Sequence, residues 1–336
     1  MTPLALAIAG GAAPEPFRGT QWERAAAAAN GLAPYLARLM QRRADLIATP
    51  DAAWPERLVD EAITAAAAIA HDPPPLAEGM RALRRAKDAT HLACAIADLA
   101  LAWSLGRVTG ILTAFADASV RAALALSARE LSARGEVAPL AWDAPTGPVP
   151  GFAIIAMGKM GAHELNYSSD VDVSVFFDPA GLAAAGAREP RVAAVRLVAP
   201  LVRALEEITP DGYVFRTDLR LRPDPGSTPV AVSMASAAHY YQSLGQNWER
   251  ATFIKARAMA GDVESGRAFL TELQPFIWRK HLDFAAVADV KSIKRQILSA
   301  HKSAELDDPV FDLKLGRGGI RDIELFAQTQ QLILGG

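Results

Sequence analysis

GKMGAHELNYSSDVDVSVFF, residues 158–177, divides into a polar loop holding Gly158 and Gly161 and a run, Asp170–Phe177, in which apolar residues alternate with others. A period of two is the pattern of a strand with one buried face. Side chains two apart on a strand share a face. Asp170 and Asp172 therefore point one way, and Val171, Val173 and Val175 the other. Two carboxylates on one face are costly unless a positive charge meets them. Magnesium suits such a place, since it takes oxygen ligands and is commonly held by one or two carboxylates together with substrate phosphates. Taken alone, the pair fits equally well two solvent-facing aspartates at a strand start.

Working outward, FAIIAM (Phe152–Met157) reads as a strand upstream, residues 191–208 as a helix, and YVFRTDLRLRP (Tyr213–Pro223) as a third strand. Strand, loop, strand, helix and strand in so short a span form a compact unit mixing helices and sheet. One face of the third strand carries Val214, Arg216, Asp218, Arg220 and Arg222, and the other Phe215, Thr217, Leu219 and Leu221. Alternating guanidinium and carboxylate groups suit a cleft in which Asp218 completes a metal site and arginines meet phosphate oxygens. An ion-pair ladder on an exposed sheet face is the plainer alternative. Gly158 and Gly161, with Ser168 and Ser169 before the first aspartate, offer backbone N–H groups and hydroxyls to a phosphate. No Gly-Lys-Ser/Thr triplet ends the loop, so it is not a P-loop.

Around this unit the pattern is helical. Trp22–Met40, Glu56–Ala70, Leu76–Leu105 and Val108–Ala133 precede it, and Ala235–Ala260, Gly266–Lys280, Phe284–Ala304 and Arg321–Leu334 follow. The proline- and glycine-rich DAPTGPVPG (143–151) marks a boundary. The expected division is a helical domain over 1–147, a sheet-bearing core over 148–233, and a helical segment over 234–336 that continues in a longer protein. The apolar share is 51%, much of it alanine, without the uninterrupted apolar run of about 18 residues that a membrane helix needs. The formal charge of −2 gives no push toward nucleic acid or anionic membrane. The single cysteine, Cys94, suits a reducing cytoplasm and reads as a small buried apolar residue. His71, His91, His239, His281 and His301 lack metal spacing, His163 reads as a turn residue, and Tyr240, Tyr241 and Trp248 as packing residues.

Together these pieces resemble the nucleotidyltransferase superfamily, with its polymerase-β-like mixed sheet, and more closely the glutamine synthetase adenylyltransferase/adenylyl-removing enzyme family. The resemblance rests on GKMGAHELNYSSDVDV (158–173), RTDLRLRP (216–223), YYQSLGQNWERATFIKARAMAGD (240–262) and KLGRGGIRDIE (314–324), with RALRRAKDATHLACAIADLA (81–100) ahead of them. It implies an α+β fold in which a nucleotidyltransferase core is flanked by helical segments. Asp170, Asp172 and Asp218 would be catalytic magnesium ligands. Gly158, Lys159, Gly161, Ser168, Ser169, Arg216, Arg220, Arg222, Lys255 and Arg257 would contact nucleotide or phosphate, with Lys314 and Arg317 as further candidates. ELNYSSD, NWER and the ending QTQQLILGG look like the family's N-terminal module, which removes AMP from a tyrosine of glutamine synthetase by phosphorolysis and releases ADP. ATP-dependent adenylylation, or nucleotide sensing without catalysis, are the alternatives. The implied partners are glutamine synthetase, a PII-type signalling protein, ADP or ATP, and phosphate. Ser174, DPGSTP (224–229) and Arg317 depart from the family's pattern.

Overall fold

A computed structural model describes residues 11–138, 149–278, 312–314, 316 and 318–335. Among these the chain opens with five α-helices: α1 (Glu23–Leu32), α2 (Pro34–Arg42), α3 (Trp54–His71), α4 (Leu76–Leu99) and α5 (Leu105–Ala133). The sequence pattern predicts one helix over Trp22–Met40, but Pro34 divides it. A proline disfavours helical backbone in the residue before it, and Ala33 is extended at φ −121°. Pro34 itself sits at the start of α2, where a missing N–H costs nothing. The helix expected to reach Leu105 stops at Leu99, and Leu101 is left-handed at φ 57°. Ser104 then caps α5 by accepting the Arg107 N–H. Helix α5 is long and apolar enough to cross a membrane by length and composition, yet 83% of that window is buried inside the protein.

The sheet is mixed. β1 (Phe152–Ala156) and β2 (Val171–Phe177) are antiparallel, in register from Phe152 opposite Phe177 to Ala156 opposite Val173. β3 (Thr217–Asp218) and β4 (Ala231–Ser233) both run parallel to β2 along its outer edge. β5 (Arg257–Gly261) pairs antiparallel with β1 on the other side. A one-turn helix, α6 (Gly158–Gly161), joins β1 toward β2, and α7 (Pro179–Ala184) and α8 (Pro190–Glu206) lead from β2 to β3. The later helices are α9 (Met234–Ser243), α10 (Asn247–Phe253), α11 (Val263–Glu272), α12 (Gln274–Ile277) and α13 (Ile320–Leu334).

One apolar core runs from the N-terminal helices into the sheet, joining Leu83, Ile96, Phe115 and Leu126 to Ile154, Val171, Val175 and Leu197. The opposite sheet face, with Ile155 and Phe176, packs on Tyr241, Phe253, Phe269 and Phe276. Alternate residues of β1 thus enter opposite cores, as a strand covered on both faces requires.

Three expectations need correction. The single helix over Ala235–Ala260 is instead α9, α10 and strand β5. Gly245, packed against the Phe276 ring and the Tyr241 carbonyl, follows the end of α9. Because β5 belongs to the sheet, residue 233 is not where the sheet ends. The third strand is two residues long: Asp218 accepts the Arg220 N–H at 2.8 Å, an Asx-type bond that turns the chain off the edge. Val214 and Phe215 are both buried, so the alternation read over 213–223 does not hold there. Strand β4 was not anticipated, and Phe284–Ala304 lies outside the described residues.

Candidate active site

Asp172 on β2 stands directly beside Asp218 on β3 in parallel register, so the two side chains share a face. Asp170 lies two residues before Asp172. Burial, then the charges of Asp218 and Asp170, push the Asp172 carboxyl up to about 6, while Lys314 and Arg220 act in the opposite direction. Each of the other two carboxylates has an arginine. Arg216 Nε donates to Asp170 Oδ1 at 2.5 Å. Arg220 grips both oxygens of Asp218, at 2.5 to 3.0 Å, and its hydrogen bonds hold that carboxyl below the usual range. The Arg216 and Arg220 side chains are 55% and 82% exposed, so both guanidinium groups are open to solvent beside the carboxylates they pair with.

Among the described residues, no three His, Cys, Asp or Glu side chains converge closely enough, as they stand, to hold a metal ion. The donor chemistry still fits a hard cation. Asp172 and Asp218 share a face, the charge of Asp170 reaches Asp172, the buried Asp172 is disfavoured as an anion, and arginines pair with the other two carboxylates.

The glycines of the turn have different tasks. Gly158 has φ +51°, and a Cβ placed there would lie 2.6 Å from Asp172 Oδ2. Only glycine lets the backbone pass that close to the carboxylate. Gly161 is buried, and a Cβ there would lie 2.0 Å from the Lys255 carbonyl oxygen, so a glycine is what lets the two backbones pack this closely. The Met157 N–H donates to the Asp172 carbonyl at 2.9 Å and anchors the turn to β2. Lys159 and Ser168 are exposed beside this turn and the loop that follows it. The Ser168 carbonyl accepts from Arg216 Nη2 at 2.9 Å, and the Ser169 hydroxyl donates to Asn166 Oδ1 at 2.6 Å.

Three of the basic residues assigned to phosphate are engaged elsewhere. Arg222 donates to the carbonyls of Leu219, Pro225, Thr228 and Pro229 at 2.7 to 3.2 Å. It clamps the DPGSTP loop. Arg257 reaches back to Asp117 on α5 at 2.7 Å and to the Met160 carbonyl at 3.0 Å, supporting the glycine turn from behind. Lys255 pairs with Glu164 at 2.8 Å. Arg216 and Arg220 remain beside the carboxylates, and Lys314 is near enough to Asp172 to act on its charge. Arg317 lies outside the described residues. The departure at Ser174 also has a reason: its buried hydroxyl donates to the Leu221 carbonyl and ties β2 to the chain beyond Asp218. Trp248, read as a packing residue, is 40% exposed and lines a shallow pocket with Asp224, Tyr240 and Leu244.

Helix α4 supplies residues that the motifs did not single out. Arg84, only 1% exposed, donates to the carbonyls of Met80, Ala204, Glu207 and Gly212. Lys87 Nζ donates to the Tyr213 carbonyl at 2.8 Å, and Asp98 accepts from the Tyr167 hydroxyl at 3.1 Å. The sequence gives no signal that sets Arg84, Lys87, Asp88 and Asp98 apart from the other charged residues of this helix, Glu78, Arg81 and Arg85.

A family model described as glutamate-ammonia ligase adenylyltransferase matches residues 21–272. One described as GlnD PII-uridylyltransferase matches residues 291–335. The curated relatives include proteins named bifunctional glutamine synthetase adenylyltransferase/adenylyl-removing enzyme. That of Caulobacter vibrioides is 52% identical over 303 residues, covering 90% of this chain and 30% of its own length. That of Bradyrhizobium diazoefficiens is 52% identical over 263 residues, covering 78% and 26%. That of Mesorhizobium japonicum is 48% identical over 318 residues, covering 92% and 31%. The chain therefore spans less than a third of the length of these relatives.

Proposed function

Since the chain belongs to the glutamate-ammonia ligase adenylyltransferase family, we propose that it removes AMP from an adenylylated tyrosine of glutamine synthetase by magnesium-dependent phosphorolysis. One observation carries the chemistry: Asp172 and Asp218 are register partners on adjoining strands, with Asp170 close enough to act on Asp172. These three carboxylates would hold magnesium, which supplies charge neutralisation at the reacting phosphate oxygens. The direction rests on the N-terminal-type signature ELNYSSD with NWER and QLILGG.

In this reading an oxygen of inorganic phosphate attacks the α-phosphorus of the adenylyl-tyrosine. The bond from that phosphorus to the tyrosine oxygen breaks, the tyrosine oxygen takes up a proton, and the new P–O–P linkage leaves as ADP. Arg216 and Arg220 are the exposed cations beside the carboxylates, and a guanidinium suits bidentate contact with phosphate oxygens. Gly158 leaves the Asp172 carboxylate unobstructed. Adenylylation with ATP is the second reading, favoured by the relatives' bifunctional name. The match over 291–335 to the GlnD PII-uridylyltransferase model supports a PII-type signalling protein as regulatory partner. A cytoplasmic setting follows from the same reading.

The test follows radiolabelled AMP on glutamine synthetase. Adding phosphate and magnesium with the protein should move the label into ADP. Label that stays on the substrate, or leaves as AMP whether or not phosphate is present, would count against the proposal.

A further inference from the structure

Arg216 is more than an exposed cation beside a carboxylate. Its Nε donates to Asp170 at 2.5 Å, its Nη2 to the Ser168 carbonyl at 2.9 Å, and its Nη1 to the Tyr213 hydroxyl at 3.2 Å. The first two bonds hold the loop that precedes β2. The third ties the guanidinium to a ring whose own position has to be fixed by something else.

That something is on α4. Lys87 Nζ donates to the Tyr213 carbonyl at 2.8 Å and lies 4.1 Å from the centroid of the Tyr213 ring. A cation over an aromatic face holds the ring by electrostatic attraction, more strongly where water is excluded. We propose that Lys87 is a positioning residue for the active site: by gripping both the backbone and the ring of Tyr213, it sets the place of Arg216 and so the availability of Asp170. The proposal rests on the reading of Asp170 as a working carboxylate.

Two further observations support it. Burial lowers the Lys87 ammonium to about 8, so keeping a cation here opposes the natural tendency of the site. A role limited to pinning backbone would also be largely redundant, because Arg84, one turn earlier, already holds the carbonyls of Ala204, Glu207 and Gly212. What Lys87 adds is the hold on the ring, and the ring hydroxyl is what meets Arg216.

The consequence has an unusual sign. Removing Lys87 frees the Tyr213 ring and so loosens Arg216, which competes with a metal ion for Asp170. Divalent-cation binding should become tighter while turnover becomes slower, whereas general damage to the site would weaken both.

The experiment titrates Mn²⁺ into the full chain by electron paramagnetic resonance and measures adenylyl transfer in both directions. The proteins are wild type, Lys87→Met, Lys87→Arg, Arg216→Gln and the Lys87→Met/Arg216→Gln double variant. Lys87→Met should bind Mn²⁺ about three- to tenfold more tightly and turn over about tenfold more slowly, with KM for glutamine synthetase changed by less than about twofold. Lys87→Arg, which keeps a cation over the ring, should restore both. In the Arg216→Gln background the Lys87→Met change in Mn²⁺ affinity should shrink below about twofold, the non-additivity expected of coupled residues. Unchanged or weaker Mn²⁺ binding in Lys87→Met, or an equal change once Arg216 is replaced, would overturn the proposal. Should Lys87→Met fail to fold, Tyr213→Phe removes only the hydroxyl that meets Arg216 and faces the same two criteria. A wild type that binds Mn²⁺ but transfers adenylyl groups in neither direction would sink the proposed function, and the Mn²⁺ titrations would still decide the role of Lys87.

Discussion

Replacing Gly158 with alanine should separate catalysis from stability. Gly158 has φ +51°, a left-handed backbone in which a Cβ costs about 1–2 kcal/mol. The added Cβ would stand 2.6 Å from Asp172 Oδ2 and 3.4 Å from its Cγ. What it meets is the movable end of a side chain, so the carboxylate yields and the sheet does not. The loss of stability should stay near the backbone cost, about 1–2 kcal/mol or a few degrees in Tm. Relieving the contact displaces the carboxylate by about 1 Å, and a misplacement of that size can cost about 10²-fold in rate. The assay is ADP formation from adenylylated glutamine synthetase at saturating magnesium, beside calorimetry of the same preparation.

Gly161→Ala is the matched contrast. Its Cβ would meet the Lys255 carbonyl oxygen at 2.0 Å and that of Ala156 at 2.9 Å. Backbone on two sides cannot move aside, so overpacking should cost about 3 kcal/mol or more and show first as lost stability. Wild-type turnover in Gly158→Ala, or an undiminished Tm in Gly161→Ala, would refute the reasoning.

Asp170→Asn and Asp218→Asn should each lower turnover at least about 10²-fold with the fold retained, because each removes charge aimed at the reacting phosphate; near-wild-type rates in both would end the three-carboxylate assignment. Arg222→Gln should leave the phosphate dependence within about twofold and instead increase protease cleavage in the 223–229 loop, as expected when a clamp on four carbonyls is removed; a large rise in the phosphate requirement would restore its role at the substrate. Asp172→Asn should stabilise the metal-free protein by about 1 kcal/mol at pH 7. The sign follows from a folded carboxyl raised from 3.8 to about 6: the folded state binds more protons between those values, so wild type loses stability as pH rises through that window. The advantage of the variant should be full above pH 6 and gone below pH 4, and a Tm difference independent of pH would contradict it.

The residues of strong periodicity were legible in the sequence. β1 and β2 fall within a residue of where alternation places them, because their valines and isoleucines have no other burial open to them. Asp172 and Asp218 do come side by side. The third strand was over-read, since Arg216, Arg220 and Arg222 look alike as letters but differ in partner. Arg222 turns inward to carbonyls because the loop after Pro223 closes over it, a tertiary fact that no spacing encodes. β5 was hidden because RAMAG is short and alanine-bearing, and becomes a strand only where β1 offers an edge. The role of α4 was hidden for a similar reason. Lys87 and Asp98 look like ordinary surface charges until Tyr213 and Tyr167, distant in sequence, are folded against them.

The most direct test of the central claim compares the two directions of transfer on matched substrate. One arm supplies adenylylated glutamine synthetase, magnesium and phosphate and measures ADP; the other supplies unmodified glutamine synthetase, magnesium and ATP and measures pyrophosphate. The account predicts ADP formation that saturates with phosphate and is lost in Asp218→Asn, with little or no pyrophosphate. Pyrophosphate release without phosphate-dependent ADP would contradict it.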